Sequence, residues 1–171
     1  MNSISSEHRR FLIVDQGIGS IVVNLLLNGV IAWAMFRSAP NVPLWGLQSS
    51  IAADTFGTAF ILPVVTSLVA GALVRHQVRS GRLAPLPAEW HGSPWARRAS
   101  WHGGAALGAA AMVVAAAPVV AWLAVAGPTE MGLWRFIWFK AAFAAALGVL
   151  VTPLLGWWAL ARASSEHASS T

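Results

Sequence analysis

Asn24 and Asn28 stand four residues apart within an apolar stretch, so on a helix their amides share one face. Hydrocarbon offers an amide no partner, so the pair must meet another helix or something held between helices. Counting at about 1.5 Å per residue from the ends of the apolar stretches brings Asn24 to the depth of Thr66 and Thr152. The four make a candidate site for a substrate or ion. Interhelical hydrogen bonding, worth about 0.6 kcal/mol per bond, is the commoner use of such residues. Asp54 and Lys140 begin or just precede two other apolar runs and fall at similar depth. Inside a bundle they would pair and gate a path, because buried membrane charges are costly and usually functional. The commoner arrangement has the lysine snorkelling to headgroups and the aspartate in water.

Other chemistry finds little support. There is no cysteine, so neither a disulfide nor a thiolate site is available. His8, His76, His91, His102 and His167 all lie outside the centres of the apolar stretches, and a bis-histidine haem needs two facing histidines within a bundle. No nucleophile–base pair, paired intramembrane carboxylates or glycine-rich phosphate loop occurs. The expectation is a non-enzymatic protein without metal or cofactor.

The elements that carry these residues follow from composition. Of 171 residues, 57% are hydrophobic and 10% charged, against about a quarter charged in soluble domains. The apolar residues come in blocks of about 20, the length of helix that crosses a hydrocarbon core of about 30 Å. A single membrane domain covering 1–171 is expected, with spans at about 18–36, 53–74, 103–126 and 136–160 and a loop over 75–102. The fold class is therefore all-α, an integral membrane four-helix bundle.

Arg9, Arg10, Arg75, Arg79, Arg82, Arg97, Arg98 and Arg162 flank one side of these spans, and Arg37, Arg135 and Lys140 the other. Cationic loops stay cytoplasmic, so both termini and the 75–102 loop are assigned there. Trp33, Trp45, Trp122, Trp134 and Trp138 would form an outer aromatic belt, with Trp157 and Trp158 at the inner boundary. A net charge of +5 on residues beside spans points to anionic lipid headgroups, through Arg75, Arg79, Arg82, Arg97 and Arg98, rather than to nucleic acid. The heavy use of Ala, Arg and Trp with a single Lys points to a GC-rich bacterium and its inner membrane.

The two halves share a pattern. Arg9-Arg10 matches Arg97-Arg98, Ala32-Trp33 matches Ala121-Trp122, Leu44-Trp45 matches Leu133-Trp134, and Thr66 matches Thr152, with offsets between 86 and 89. Two hairpins in the same orientation would be parallel repeats about an axis along the membrane normal. Two Ala- and Trp-rich hairpins also align this far by composition, so duplication and chance both stand. The segment Trp134-Arg-Phe-Ile-Trp138-Phe-Lys140-Ala-Ala-Phe, with Thr152-Pro153-Leu and Arg162, resembles the second helix of small bacterial two-helix inner-membrane proteins of uncharacterised function. That resemblance covers about 30 residues and implies two fused hairpins. It carries no activity with it, and Asp54 departs from it where the second hairpin has Lys140.

Pro63, Pro118 and Pro153 fall inside spans and favour kinks, and Thr152 is placed to satisfy carbonyls that Pro153 frees. The third span, with Gly104, Gly108 and its alanines, reads as the central packing helix or as the contact with a second copy or a partner membrane protein. Phe56, Phe60 and Phe143 are expected to fill the bundle. Prolines 85, 87 and 94 exclude a long helix from the basic loop, and the polar tail 163–171 is expected to be disordered. Two functions follow as expectations: a permease-like or channel-like protein moving a small solute or ion as a homo-oligomer, or a non-catalytic accessory protein binding lipid or another membrane protein.

Overall fold

The structure, a computed structural model, describes residues 19–47, 49–87 and 101–169, with side chains from Val22 onward. Among these the chain forms α1 (Gly19–Phe36), β1 (Asn41–Pro43), α2 (Ile51–Arg79), α3 (Trp101–Ala126), β2 (Glu130–Gly132) and α4 (Leu133–Ala168). The four apolar blocks are thus four helices, because only a helix satisfies every backbone group within an apolar run. α2, α3 and α4 are each long and apolar enough to cross a membrane. Their outward faces agree: Ile61, Val65, Leu68, Val69 and Leu73 of α2, Val113, Val114 and Val125 of α3, and Leu150 of α4 are exposed. So much outward apolar surface belongs in lipid rather than water.

The helices form a row, α1–α4–α2–α3. α4 packs along both α1 and α2, and α3 packs chiefly on α2. This corrects the expectation that the third span is the central helix. Gly104 and Gly108 do permit a close approach, but on one face of α3 only. A Cβ on Gly108 would lie 2.7 Å from the Phe60 carbonyl oxygen, and one on Gly104 would overlap Ser67. That face is taken by α2 of the same chain, while the opposite face, with Trp122, stays exposed. α4 and α2 hold the two inner places, and α4 is the more buried, covering Phe136, Ala144, Leu147, Leu155 and Leu160 along its length.

Within α3 a π-turn spans Met112–Ala116, immediately before Pro118. The wider turn accommodates a proline that cannot donate to the ladder of hydrogen bonds. Pro63 and Pro153 lie inside α2 and α4. Thr152 does not relieve the carbonyl freed by Pro153, since its buried Oγ1 has no hydrogen-bond partner. Phe56 and Phe143 pack against the middle of the core, whereas Phe60 is largely outside it at 38% exposed. Trp33, Trp45, Trp122, Trp134 and Trp138 face outward as a belt requires, but Trp158 is buried in the core.

The connections contain the element the sequence did not announce. β1 and β2 pair antiparallel, with Asn41 opposite Gly132, Val42 opposite Met131 and Pro43 opposite Glu130. Val42 and Met131 are buried beneath the ladder with Phe36, Leu44, Ile51 and Phe136, and the Phe36 and Phe136 rings meet edge-on at 4.7 Å. Leu44 N donates to Thr129 O (2.8 Å) and Leu133 N to Pro40 O (3.1 Å). These two bonds exchange when each residue is replaced by its counterpart 89 positions away, the separation of Asn41 and Glu130, whose side chains are themselves bonded. The register exchanges in the same way. The ladder therefore ties the two hairpins together about a local two-fold.

At the opposite end α2 stops at Ser80 and Gly81, where Gly81 takes φ +69°, the left-handed value glycine adopts without strain. The chain then folds back on α4, burying Leu83 and Leu86 beside Val74, Val78, Leu160 and Ala163. Leu86 N donates to Ser164 Oγ (2.9 Å), which donates in turn to Leu160 O (2.8 Å). The tail expected to be disordered is thus helical to Ala168. Docked segment 83–86 covers Ala163 and Ser164, and an Arg162–Glu166 pair (2.9 Å) braces the last turns. Ser164→Ala should remove the bond to Leu86 and leave its N–H buried, at a cost of about 1–3 kcal/mol. Faster hydrogen exchange at Leu83–Leu86, with the α2–α4 contact unchanged, would register it.

Candidate functional site

Ser50 sets the site's upper edge. It caps α2, its Oγ accepting from Ala53 N (3.2 Å) and donating to Gly46 O (2.8 Å). Asp54 is thereby fixed in the first turn of α2, where the helix dipole favours an anion. From α4 Lys140 reaches across and pairs with Asp54, donating from Nζ to Oδ1. The side chains are only 5% (Lys140) and 8% (Asp54) exposed, so neither snorkelling nor hydration of the carboxylate describes them. The expectation of two separate interfacial charges is corrected. Lys140 is the eighth residue of α4, and its amine meets the carboxylate of α2 instead of leaving the bundle.

The pair forms part of the floor of a cavity of about 500 Å³ between α1 and α2. Both helices rest on α4 without packing extensively on each other, which leaves the gap. Asn24 and Asn28 line it from α1, Asp54, Thr58 and Thr66 from α2, and Lys140 from α4. Asn28 Nδ2 donates to Asn24 O within the same helix (3.0 Å). Among the described residues neither amide bonds to another helix, so the expected interhelical hydrogen bonds are not made. Asn24 rests instead against Gly148 of α4, where a Cβ would overlap its amide nitrogen and stand 3.2 Å from its Cγ. Gly148 is the position that lets this amide settle on α4.

Thr152 is not brought to the cavity. It lies one turn beyond Gly148, buried, and α4 contributes only Lys140 to the lining. Arg75, Arg79 and Arg82 are exposed near the far end of α2. Arg97 and Arg98, like Arg9 and Arg10, lie outside the described residues. His102 stacks on its neighbour Trp101, ring centroids 3.8 Å apart.

Why the gap opens on one side only is answered by comparing the halves at a spacing of 86, the separation of Asp54 and Lys140. Ala53 and Gly57 line the cavity, and nothing lies within 4 Å of a Cβ built on Gly57. Their counterparts are Phe139 and Phe143, whose rings stack at 6.3 Å. Phe143 packs into the core formed by α2, α3 and α4 with Phe56, Leu147 and Trp158. Two phenyl rings fill one half where the other has a methyl group and a hydrogen. Sequence reasoning missed Ala53 and Gly57 as site residues, although setting them against Phe139 and Phe143 was the signal available.

Beyond the cavity, toward the end away from the ladder, α2 and α4 pack together through Ala70, Val74, Ala159, Leu160 and Ala163. The arrangement is a side-opening chamber with apolar walls, a neutral ion pair and carboxamides. It can bind and orient a molecule. Comparison with protein-family models, with curated proteins and with solved structures finds no match. The fold and site together are an all-α protein, three of its helices long and apolar enough to cross a membrane, with a polar chamber between α1 and α2.

Proposed function

We propose that this protein is a permease-like membrane protein that takes a small solute or ion into the chamber between α1 and α2. The observation that carries the reading is convergence: Asn24, Asn28, Asp54, Thr66 and Lys140 line one cavity large enough for a small molecule. Intramembrane ionisable and amide groups are expensive to keep unless they serve something that enters the membrane.

The whole chain is taken to cross a bacterial inner membrane four times as two parallel hairpin repeats. The exchanging bonds of the ladder and the pairing of Asp54 with its counterpart Lys140 support that repeat. So do the offsets: they step from 88 to 89 across the π-turn, which accommodates one extra residue. They fall to 86 where the first hairpin has a longer segment before α2. Outward tryptophans at the ladder end and exposed arginines at the other support cytoplasmic termini, with Arg75, Arg79 and Arg82 at anionic headgroups. Assembly with further copies would supply walls that a row of four helices lacks. With Gly104 and Gly108 occupied by α2, such a contact falls on another face.

Gly57→Phe gives the open half the residue its counterpart already carries, so the variant should fold while its chamber fills. In liposomes containing the purified protein, flux of the transported solute should fall at least tenfold in Gly57→Phe, at an unchanged melting temperature. Absence of transport for a broad panel of ions, small solutes and amphiphiles, or full flux in a folded Gly57→Phe protein, would overturn the reading.

A further inference from the structure

We infer that the chamber's ligand is a net-neutral amphiphile that enters sideways from the bilayer. Its polar headgroup would lie at Asn28, Asp54 and Lys140, and its hydrocarbon between α1 and α2. The inference rests on the reading of the chamber as a binding site and names the class of molecule it takes.

The lips of the opening are hydrocarbon. Leu27, Ile31 and Met35 recur every fourth residue along α1, and Ile61 and Val65 face them from α2; all five are exposed outward and line the cavity. These residues continue the apolar surface that meets lipid, so the gap opens toward acyl chains. A water-soluble molecule crossing those lips would surrender its hydration against apolar walls. An amphiphile already dissolved in the bilayer keeps its chain in hydrocarbon throughout.

The dimensions match one leaflet. From Asp54 to Thr66 the lining of α2 runs for about 18 Å of helix rise, a little over half of a core of about 30 Å. The charged pair sits toward the ladder end, the end that carries Trp33, Trp134 and Trp138, residues that favour headgroup level. The charged pair thus stands where a headgroup would be, and the lining below it is Leu27, Ile61, Leu62 and Val65, with Asn24, Asn28, Thr58 and Thr66 as its polar points.

The sign of the ligand follows from the floor. Asp54 and Lys140 neutralise each other, so among the described residues the chamber's lining offers no unpaired charge. A ligand with net charge would enter a low-dielectric site uncompensated, which is strongly unfavourable. A zwitterionic head can instead set its own charges beside the pair, or an uncharged head can bond to it. Asn28 donates one amide hydrogen to its own helix and has further donor and acceptor capacity for such a head.

Photoactivatable lipids test this in bilayer nanodiscs holding the full chain. The probes are phosphatidylcholine and phosphatidylglycerol with a diazirine on the acyl chain, with glycerophosphocholine as a soluble, chainless competitor. Phosphatidylcholine should label peptides containing Leu27–Met35 or Ile61–Val65. Labelling should drop at least tenfold in Gly57→Phe and in Ala53→Phe, persist under excess glycerophosphocholine, and exceed that by phosphatidylglycerol at least fivefold. Competition by glycerophosphocholine would show that the chamber binds from water, ending the lateral route while the binding site stands. Equal or stronger labelling by phosphatidylglycerol would end the claim of neutrality. Labelling indifferent to both substitutions, in variants with wild-type melting temperatures, would remove the chamber as a binding site and the proposed function with it.

Discussion

Lys140→Met should destabilise the protein by about 3–5 kcal/mol, whereas Lys140→Met combined with Asp54→Leu should recover most of that loss. The asymmetry comes from burial. In the intact pair each charge is compensated by the other at close range, with both side chains more than nine-tenths covered. Removing one leaves the other as an isolated charge in a low-dielectric interior, the expensive state. Removing both replaces the pair with apolar groups of similar volume, which is often neutral or stabilising. Reversible unfolding in mixed micelles, followed by tryptophan fluorescence over the four-variant cycle, measures the coupling. Additive losses would show that the two groups do not depend on each other. Activity offers an independent reading: if the pair serves the ligand, the stable double variant should still lose binding.

Gly108→Leu should separate α3 from α2 and cost at least about 3 kcal/mol. Even a methyl group at 108 would stand 2.7 Å from the Phe60 carbonyl oxygen and 3.1 Å from Phe60 Cα, atoms of backbone that cannot rotate aside. Overpacking against movable side chains already costs about 1–3 kcal/mol, and here the neighbouring helix itself must shift. Gly57→Leu is the matched control, because nothing lies within 4 Å of a Cβ there. A lowered melting temperature for Gly108→Leu, with chemical crosslinking between α2 and α3 lost and self-association unchanged, identifies the contact as internal. Unaltered stability with loss of self-association would instead return that face to a contact between chains.

The helices were legible because each rests on a one-dimensional property. Blocks of apolar residues interrupted by Arg, Pro and Gly fix where a chain enters and leaves hydrocarbon, and Gly19–Phe36, Ile51–Arg79, Trp101–Ala126 and Leu133–Ala168 follow from them. The candidate polar residues were legible for the same reason, being few in an apolar background. The extension of α4 to Ala168 was not, since it depends on Leu83 and Leu86 returning to cover Ala163 and Ser164. Nor was the β1–β2 ladder, whose three-residue strands are too short for any alternation to register and exist because the two connections meet.

What the amino-acid order determined alone is the number of apolar helices and the positions of Asn24, Asp54, Thr66 and Lys140 along them. Such a position is set by counting residues along an axis, and counting needs no neighbour. Which helices lie at the centre, whether Asp54 meets Lys140, and that Thr152 turns away from the site were decided by packing. Those outcomes depend on azimuth about each helix and on what stands opposite. Gly108 against Phe60 draws α3 onto α2, Gly148 seats Asn24 on α4, and Gly57 in place of a phenylalanine leaves the chamber open.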